Sequence, residues 1–221
     1  MLLTLAILGG TGNEGKGLAY RWARAGYRVM IGSRTAEKAA EVAQELNQKL
    51  GRDVVHGLVN EEAAKACDIA VLTVPYAAHG ELLESLRDSL QGKVLVDVTV
   101  PLAPSEATRL YVPPAGSAAK EAQQILGEGV RVVAAFQNLS HEHLLEGDPI
   151  PCHVLVCGDD EGAREQVLKL AAAAGLTGWD AGSLDNAIVV EGLTPILIGI
   201  NKRYKMRGAG IQVTGKSTEK G

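Results

Sequence analysis

A glycine cluster, Gly9-Gly10-Thr11-Gly12-Asn13-Glu14-Gly15, follows directly on the apolar run Leu5-Ala6-Ile7-Leu8, and Gly10, Gly12 and Gly15 fill the three glycine places of a dinucleotide fingerprint. The first place calls for a tight turn, the second lets backbone approach a pyrophosphate, and the third allows a helix to pack closely on the preceding strand. The free amides of that helix's first turn then face the phosphates. A glycine motif alone also describes an ordinary turn. Its place between one apolar strand and an amphipathic helix favours binding.

The next strand end selects the dinucleotide. A fold that holds an unphosphorylated ribose carries Asp or Glu about 20 residues beyond the glycines. This chain has Gly32-Ser33-Arg34-Thr35 there. A carboxylate would repel a 2′-phosphate, whereas Ser33 can donate to it and Arg34 offers a planar fork of donors. If Thr35 caps the following helix, Lys38 falls in its first turn, where a cation opposes the helix dipole and a nearby anion would offset it. Ser33, Arg34 and Lys38 together predict NADP(H) rather than NAD(H).

Other candidates are weighed the same way. Val74 and Pro75 close the run from Asp68 at the carboxyl edge of a parallel sheet, where they can wall a nicotinamide or simply end a strand. His79 reads as a helix-face residue. The polar segment Phe136 to His143 contains His141 and His143 but no third ligand at recognised spacing, so a hydrated loop is expected and no metal site. Cys152, His153 and Cys157 read as strand residues. No nucleophile and base stand together at recognisable spacing.

The elements that must position these groups alternate. Strands are expected at Leu2 to Leu8, Arg28 to Gly32, Asp53 to Gly57, Ile69 to Val74, Lys93 to Val98, Arg131 to Ala135 and His153 to Cys157. Helices are expected at Asn13 to Ala25, Ala36 to Leu50, Ala78 to Leu90, Ser117 to Leu126, Asp160 to Ala174 and about Asn186 to Arg203. That rhythm is the signature of an α/β Rossmann fold, a mostly parallel sheet with helices on both faces. Pro101 to Gly116, with four prolines, and Leu139 to Pro151 read as long loops. Residues 1–158 form the expected Rossmann domain and 159–221 a small α-rich C-terminal domain completing the substrate cleft, with Thr214 to Gly221 frayed.

A length of 221 residues and 46% hydrophobic content suit two such lobes with a real core. The net charge of −4 gives no pull toward nucleic acid or an anionic membrane, so any bound anion must be held by local groups. Three cysteines without metal or redox spacing suggest a reducing, cytoplasmic compartment. The apolar stretch Ile188 to Ile200 is short for a bilayer and contains Glu191 and Pro195. Its Ile188, Val189, Leu193, Ile196, Leu197 and Ile200 form a flank suited to a homodimer interface or to core.

With these motifs the chain resembles the NADPH-dependent reductases of the deazaflavin coenzyme F420. The resemblance is carried by Leu8 to Ala19, Gly32-Ser33-Arg34, Ala66 to Thr73, Val156 to Asp160, Asp180 to Leu184, Leu193-Thr194-Pro195 and Gly208-x-Gly210-Ile211, spread over nearly the whole chain. It implies direct hydride transfer between C4 of the nicotinamide and C5 of the deazaflavin, by orientation and exclusion of water, without an obligatory acid or base. It further implies that Thr11, Gly12, Asn13, Ser33, Arg34 and Lys38 bind NADP and that Val74 and Pro75 flank the nicotinamide; Gly10 and Glu14, from their place in the glycine motif, are expected beside the same cofactor. Val98, Gln137, Leu139 and Ala209 would then line the F420 side. Gln137-Asn138-Leu139-Ser140 depart from a His-Thr-Ile-Pro-like segment of the family: glutamine can bond a ring carbonyl but cannot be cationic. Two alternatives stay open, a flavin or ferric-complex reductase and a non-catalytic NADP-binding protein.

Overall fold

The computed structural model describes residues 3–146 and 149–216. The expected strand start at Leu2 and the last residues of the expected frayed end, 217–221, lie outside the described residues. Odd and even positions of the first strand, β1 (Thr4–Leu8), point to opposite faces: Leu5 and Ile7 enter one core layer, Ala6 and Leu8 the other. Both layers need cover, and helices supply it on each side. The chain continues through α1 (Asn13–Arg24), β2 (Arg28–Ser33), α2 (Ala36–Leu50), β3 (Val55–Val59), α3 (Asn60–Ala66), β4 (Ile69–Leu72), α4 (His79–Leu90) and β5 (Val94–Asp97). The helix α3 was not foreseen.

Past β5 the proline-rich segment is a hairpin rather than a loop, with β6 (Leu102–Ala103) paired antiparallel to β7 (Glu106–Leu110). Then follow α5 (Ala118–Leu126), β8 (Arg131–Ala134), α6 (His141–Leu144), β9 (His153–Gly158), α7 (Glu161–Ala173), β10 (Thr177–Asp180) and α8 (Ala187–Tyr204). The main sheet runs β10-β9-β8-β5-β4-β1-β2-β3, parallel at every pairing except β8 with β9. Strand order reverses between β1 and β4, so the crevice lies at their carboxyl ends.

The sheet does not stop at the expected boundary after Gly158. α7 contributes Val167 and Leu170 to one core layer, and β10 extends the sheet beside β9. Thr177-Gly178-Trp179-Asp180 is four residues long and largely exposed, so it lacks the apolar run that marks a buried strand. What remains of the tail is α8 and the segment after it.

α8 buries Ala187 and Val190 in the second core layer and lays Gly192 and Gly199 beside Leu110 and Thr108 of the hairpin. Counted with the turn before it, Leu184–Tyr204 has the length and composition to cross a membrane, longer than the apolar stretch alone suggested. Its Glu191 is nevertheless buried against the start of α5, where its two oxygens accept the Ala118 and Ala119 N–H groups at 3.0 and 3.1 Å. Beyond α8 the chain folds back on the sheet: Ile211 O accepts the His153 N–H at 2.8 Å, and Asn201 Oδ1 accepts that of Ala209 at 3.1 Å.

Candidate active site

The turn after β1 is tight, but its left-handed residue is Gly9, at φ +68°, rather than Gly10. Gly10 instead shares its N–H between Ile7 O and Gly32 O, at 3.1 and 3.0 Å, which ties the turn to the end of β2. A Cβ at Gly15 would lie 2.7 Å from Gly10 Cα, so α1 packs as closely on the turn as the motif requires. Gly12, which caps α1, has no atom within 4 Å of where a Cβ would be, leaving room for an approaching ligand. One residue of this loop's support escaped the sequence reading. Asn60, at the start of α3, is buried and accepts the Gly9 N–H through Oδ1 at 3.0 Å.

At the end of β2, Ser33 is buried and Arg34 exposed, and both line a cleft of about 520 Å³ with Gly9, Thr11, Val74 and Pro75. Thr35 does cap α2, accepting the Lys38 N–H through Oγ1 at 3.4 Å. Lys38 is exposed in that first turn, outside the lining of the cleft, and Gly10, Gly12 and Asn13 are not part of the lining either. Val74 and Pro75 follow β4 at the strand-order reversal, as the reading of the crevice required.

Val98, Gln137, Leu139 and Ala209 come together around a second cavity of about 440 Å³. Glu14, expected with the dinucleotide, lines this cavity and not the first. The two cavities flank the neighbouring ends of β4 and β5, which are joined where Thr99 Oγ1 donates to Val74 O at 3.4 Å. Three devices shape the second. Phe136, fully buried edge-on against Trp22 at 5.6 Å, sits at φ +73°, a conformation costing a non-glycine residue about 1–2 kcal/mol, and so turns the chain into Gln137. The buried Arg21 guanidinium donates to Leu144 O and His143 O, each at 2.7 Å, and clamps α6 onto α1. The returned tail then lays Gly208 against His143.

Three buried side-chain oxygens among the described residues lack a hydrogen-bond partner: Glu14 Oε1, Gln137 Oε1 and Asn138 Oδ1. All three residues line the second cavity. The amide orientations are fixed from behind, since Gln137 Nε2 donates to Asp97 O and Asn138 Nδ2 to His153 O, both at 2.8 Å. The two amide oxygens are buried acceptors without donors, which costs about 1–3 kcal/mol each and invites a ligand that carries N–H groups. Burial pushes the Glu14 carboxyl up to about 8.

Behind β5 lies a buried polar network that the sequence did not reveal. His79 is fully buried, its Nε2 2.8 Å from Asp97 Oδ2 and its Nδ1 3.3 Å from Glu121 Oε1. Burial alone would lower the imidazole, but the two carboxylates outweigh it and hold it above its ordinary value. Asp97 Oδ1 also accepts the Thr99 N–H at 2.9 Å, so this network fixes the β5 end between the cavities. Burial likewise raises Glu191, to about 8, against the two amides that favour its charged form. Cys67 and Cys157 are pushed up to about 11 by burial, which leaves them inert at neutral pH.

Residues 4–101 match the family model described as NADP oxidoreductase coenzyme F420-dependent. The chain is 41% identical to the F420-dependent NADP reductase of Methanocaldococcus jannaschii, over 96% of this chain and 98% of that one. It belongs to the F420-dependent NADP reductase family. The reductase of the same name from Methanothermobacter thermautotrophicus is 43% identical over 97% of this chain and 96% of its own length. A crystal structure named for an F420-dependent NADP-reductase, from Arthrobacter sp. FB24, superposes with a TM-score of 0.81 at 23% identity, covering 96% of this chain and all of that one. That likeness shows the shared Rossmann fold.

Proposed function

We propose that this chain transfers a hydride between NADP(H) and the deazaflavin coenzyme F420. The observation that carries the reading is the pair of cavities on either side of the β4 and β5 ends, one phosphate-suited and one lined with unpaired acceptors. In the first, Thr11, Ser33 and Arg34 hold the dinucleotide, with Gly10, Gly12 and Asn13 presenting the start of α1 to its pyrophosphate and Lys38 adding charge at the rim. Val74 and Pro75 wall the nicotinamide. In the second, Val98, Leu139 and Ala209 give an apolar bed, while Gln137 Oε1 and Asn138 Oδ1 fit a ring edge that carries an imide N–H. The hydride step needs no protein nucleophile; the fold holds two rings at reacting distance and keeps water out.

The segment from α8 to residue 216 completes the second cavity through Thr194, Leu197 and Ala209. Exposed Val189, Ile196 and Tyr204 along α8 support assembly as a homodimer through that helix. Three buried, unpaired thiols suit a cytoplasmic setting, and the net charge suits neither nucleic acid nor membrane as partner. A spectral assay with NADPH and, separately, F420, FMN and FAD tests the function. The reading requires bleaching of F420. Reduction of FMN or FAD alone would favour the flavin reductase instead.

A further inference from the structure

We propose that Glu14 is the proton donor that accompanies hydride transfer, acting as a neutral carboxylic acid inside the acceptor cavity. The proposal rests on the reading of that cavity as the F420 site. Reduction of a deazaflavin by NADPH consumes one proton. The C4–H bond of the nicotinamide breaks with both electrons, a C–H bond forms at C5 of the acceptor ring, and a ring π pair moves onto the conjugated nitrogen N1. That nitrogen then takes a proton as the O–H bond of the Glu14 carboxyl breaks, leaving a carboxylate that solvent reprotonates after product leaves.

The placement follows from the fold rather than from the glycine motif. Glu14 stands in the first turn of α1, where the motif suggests contact with the dinucleotide, yet its side chain lines the cavity of Gln137 and Ala209. Among the described residues its Oε1 is buried without a hydrogen-bond partner, and burial is the cause that moves its carboxyl. The other titratable groups of the cavity are His141, Glu142 and Arg207, at its exposed side. On α1 itself, Lys16 is turned to Glu45 of α2 at 2.5 Å. The dipole at the start of α1 favours the charged form, but burial outweighs it. A dinucleotide pyrophosphate at the same helix end would bring further negative charge, which also keeps the acid protonated. Gln137 and Asn138, held by Asp97 O and His153 O, offer only acceptors, so Glu14 is the cavity's neutral acid among these orphaned groups.

Two measurements decide it. In the free protein, carboxyl 13C NMR should show Glu14 titrating near 8, and an ordinary glutamate midpoint would overturn the proposal. In stopped flow with NADPH and F420, wild-type turnover should fall above about pH 8, and Glu14→Gln should lose that break. The variant should also be slower at pH 7 by about 10²-fold or more, the usual worth of a general acid, with NADPH affinity retained. Equal turnover in Glu14→Gln overturns the proposal while the F420 reading stands. Wild-type protein that binds NADPH and never reduces F420 overturns the reading itself, and the proton step with it. Should Glu14→Gln fail to fold, the NMR midpoint and the wild-type pH break decide alone, and absence of either overturns the proposal.

Discussion

Gly9→Ala is expected to harm both stability and dinucleotide binding, by amounts that the geometry separates. Two costs act together. The residue sits at φ +68°, which costs an alanine about 1–2 kcal/mol. Its Cβ would also fall deep inside contact distance of Val74 Cγ1, and overpacking of that kind costs about 1–3 kcal/mol. Val74 Cβ lies 3.5 Å from the same position, an ordinary contact. Val74→Ala should therefore remove the collision and leave only the backbone strain. Urea unfolding of wild type, both single variants and the double variant gives the coupling energy directly, expected at about 1–3 kcal/mol in favour of the pair. NADPH titration should run in parallel, since a displaced Val74 spoils the nicotinamide wall. Additive effects, with coupling within about 0.5 kcal/mol, would show that Gly9 and Val74 do not meet and that the turn is not built as described.

Three further outcomes follow from the same structure. Arg34→Ala should weaken NADPH by about 1.5–3 kcal/mol, the worth of a hydrogen bond to a charged group, and leave NADH almost unchanged in calorimetric titration. Glu14 and Glu191 both sit near 8 in the folded chain against 4.5 unfolded, so the folded state holds the extra protons between those values. Their contribution to stability is full below about 4.5 and is lost as pH rises through about 8. Urea midpoints should fall across that window, and Glu14→Gln and Glu191→Gln should each flatten part of the slope. Pro75→Trp and Ala209→Trp should abolish turnover by blocking the rings, whereas His141→Ala should change it only modestly, in single-turnover assays with NADPH binding checked separately.

The parts legible in the sequence were those written in contiguous residues. The glycine turn, the Gly32-Ser33-Arg34 strand end and the Thr35 cap all lie within a few positions of one another, where local geometry dictates residue type. The mostly parallel sheet with helices on both faces was legible in the alternation of apolar runs with helical periodicity, but the order of its strands was not. Contacts between distant segments were not legible. Asn60 reaches Gly9 across 51 positions from a seven-residue helix whose Asn-Glu-Glu start reads as a surface turn. His79 meets Asp97 and Glu121 only because α4 and α5 pack side by side over β5. That Glu14 lines the second cavity and not the first was not legible for a related reason. A motif fixes where backbone lies, while the side chain's direction depends on a cavity wall contributed by residues 137 and 209.

Single-turnover reduction of F420 with NADPH carrying deuterium at the transferred C4 position tests the central claim most directly. Direct transfer within one cleft predicts that the deuterium appears on C5 of the reduced deazaflavin, in ordinary water, with a primary isotope effect on the bleaching of F420. Recovery of the label in solvent, or F420 left oxidised while NADPH is bound, would contradict it.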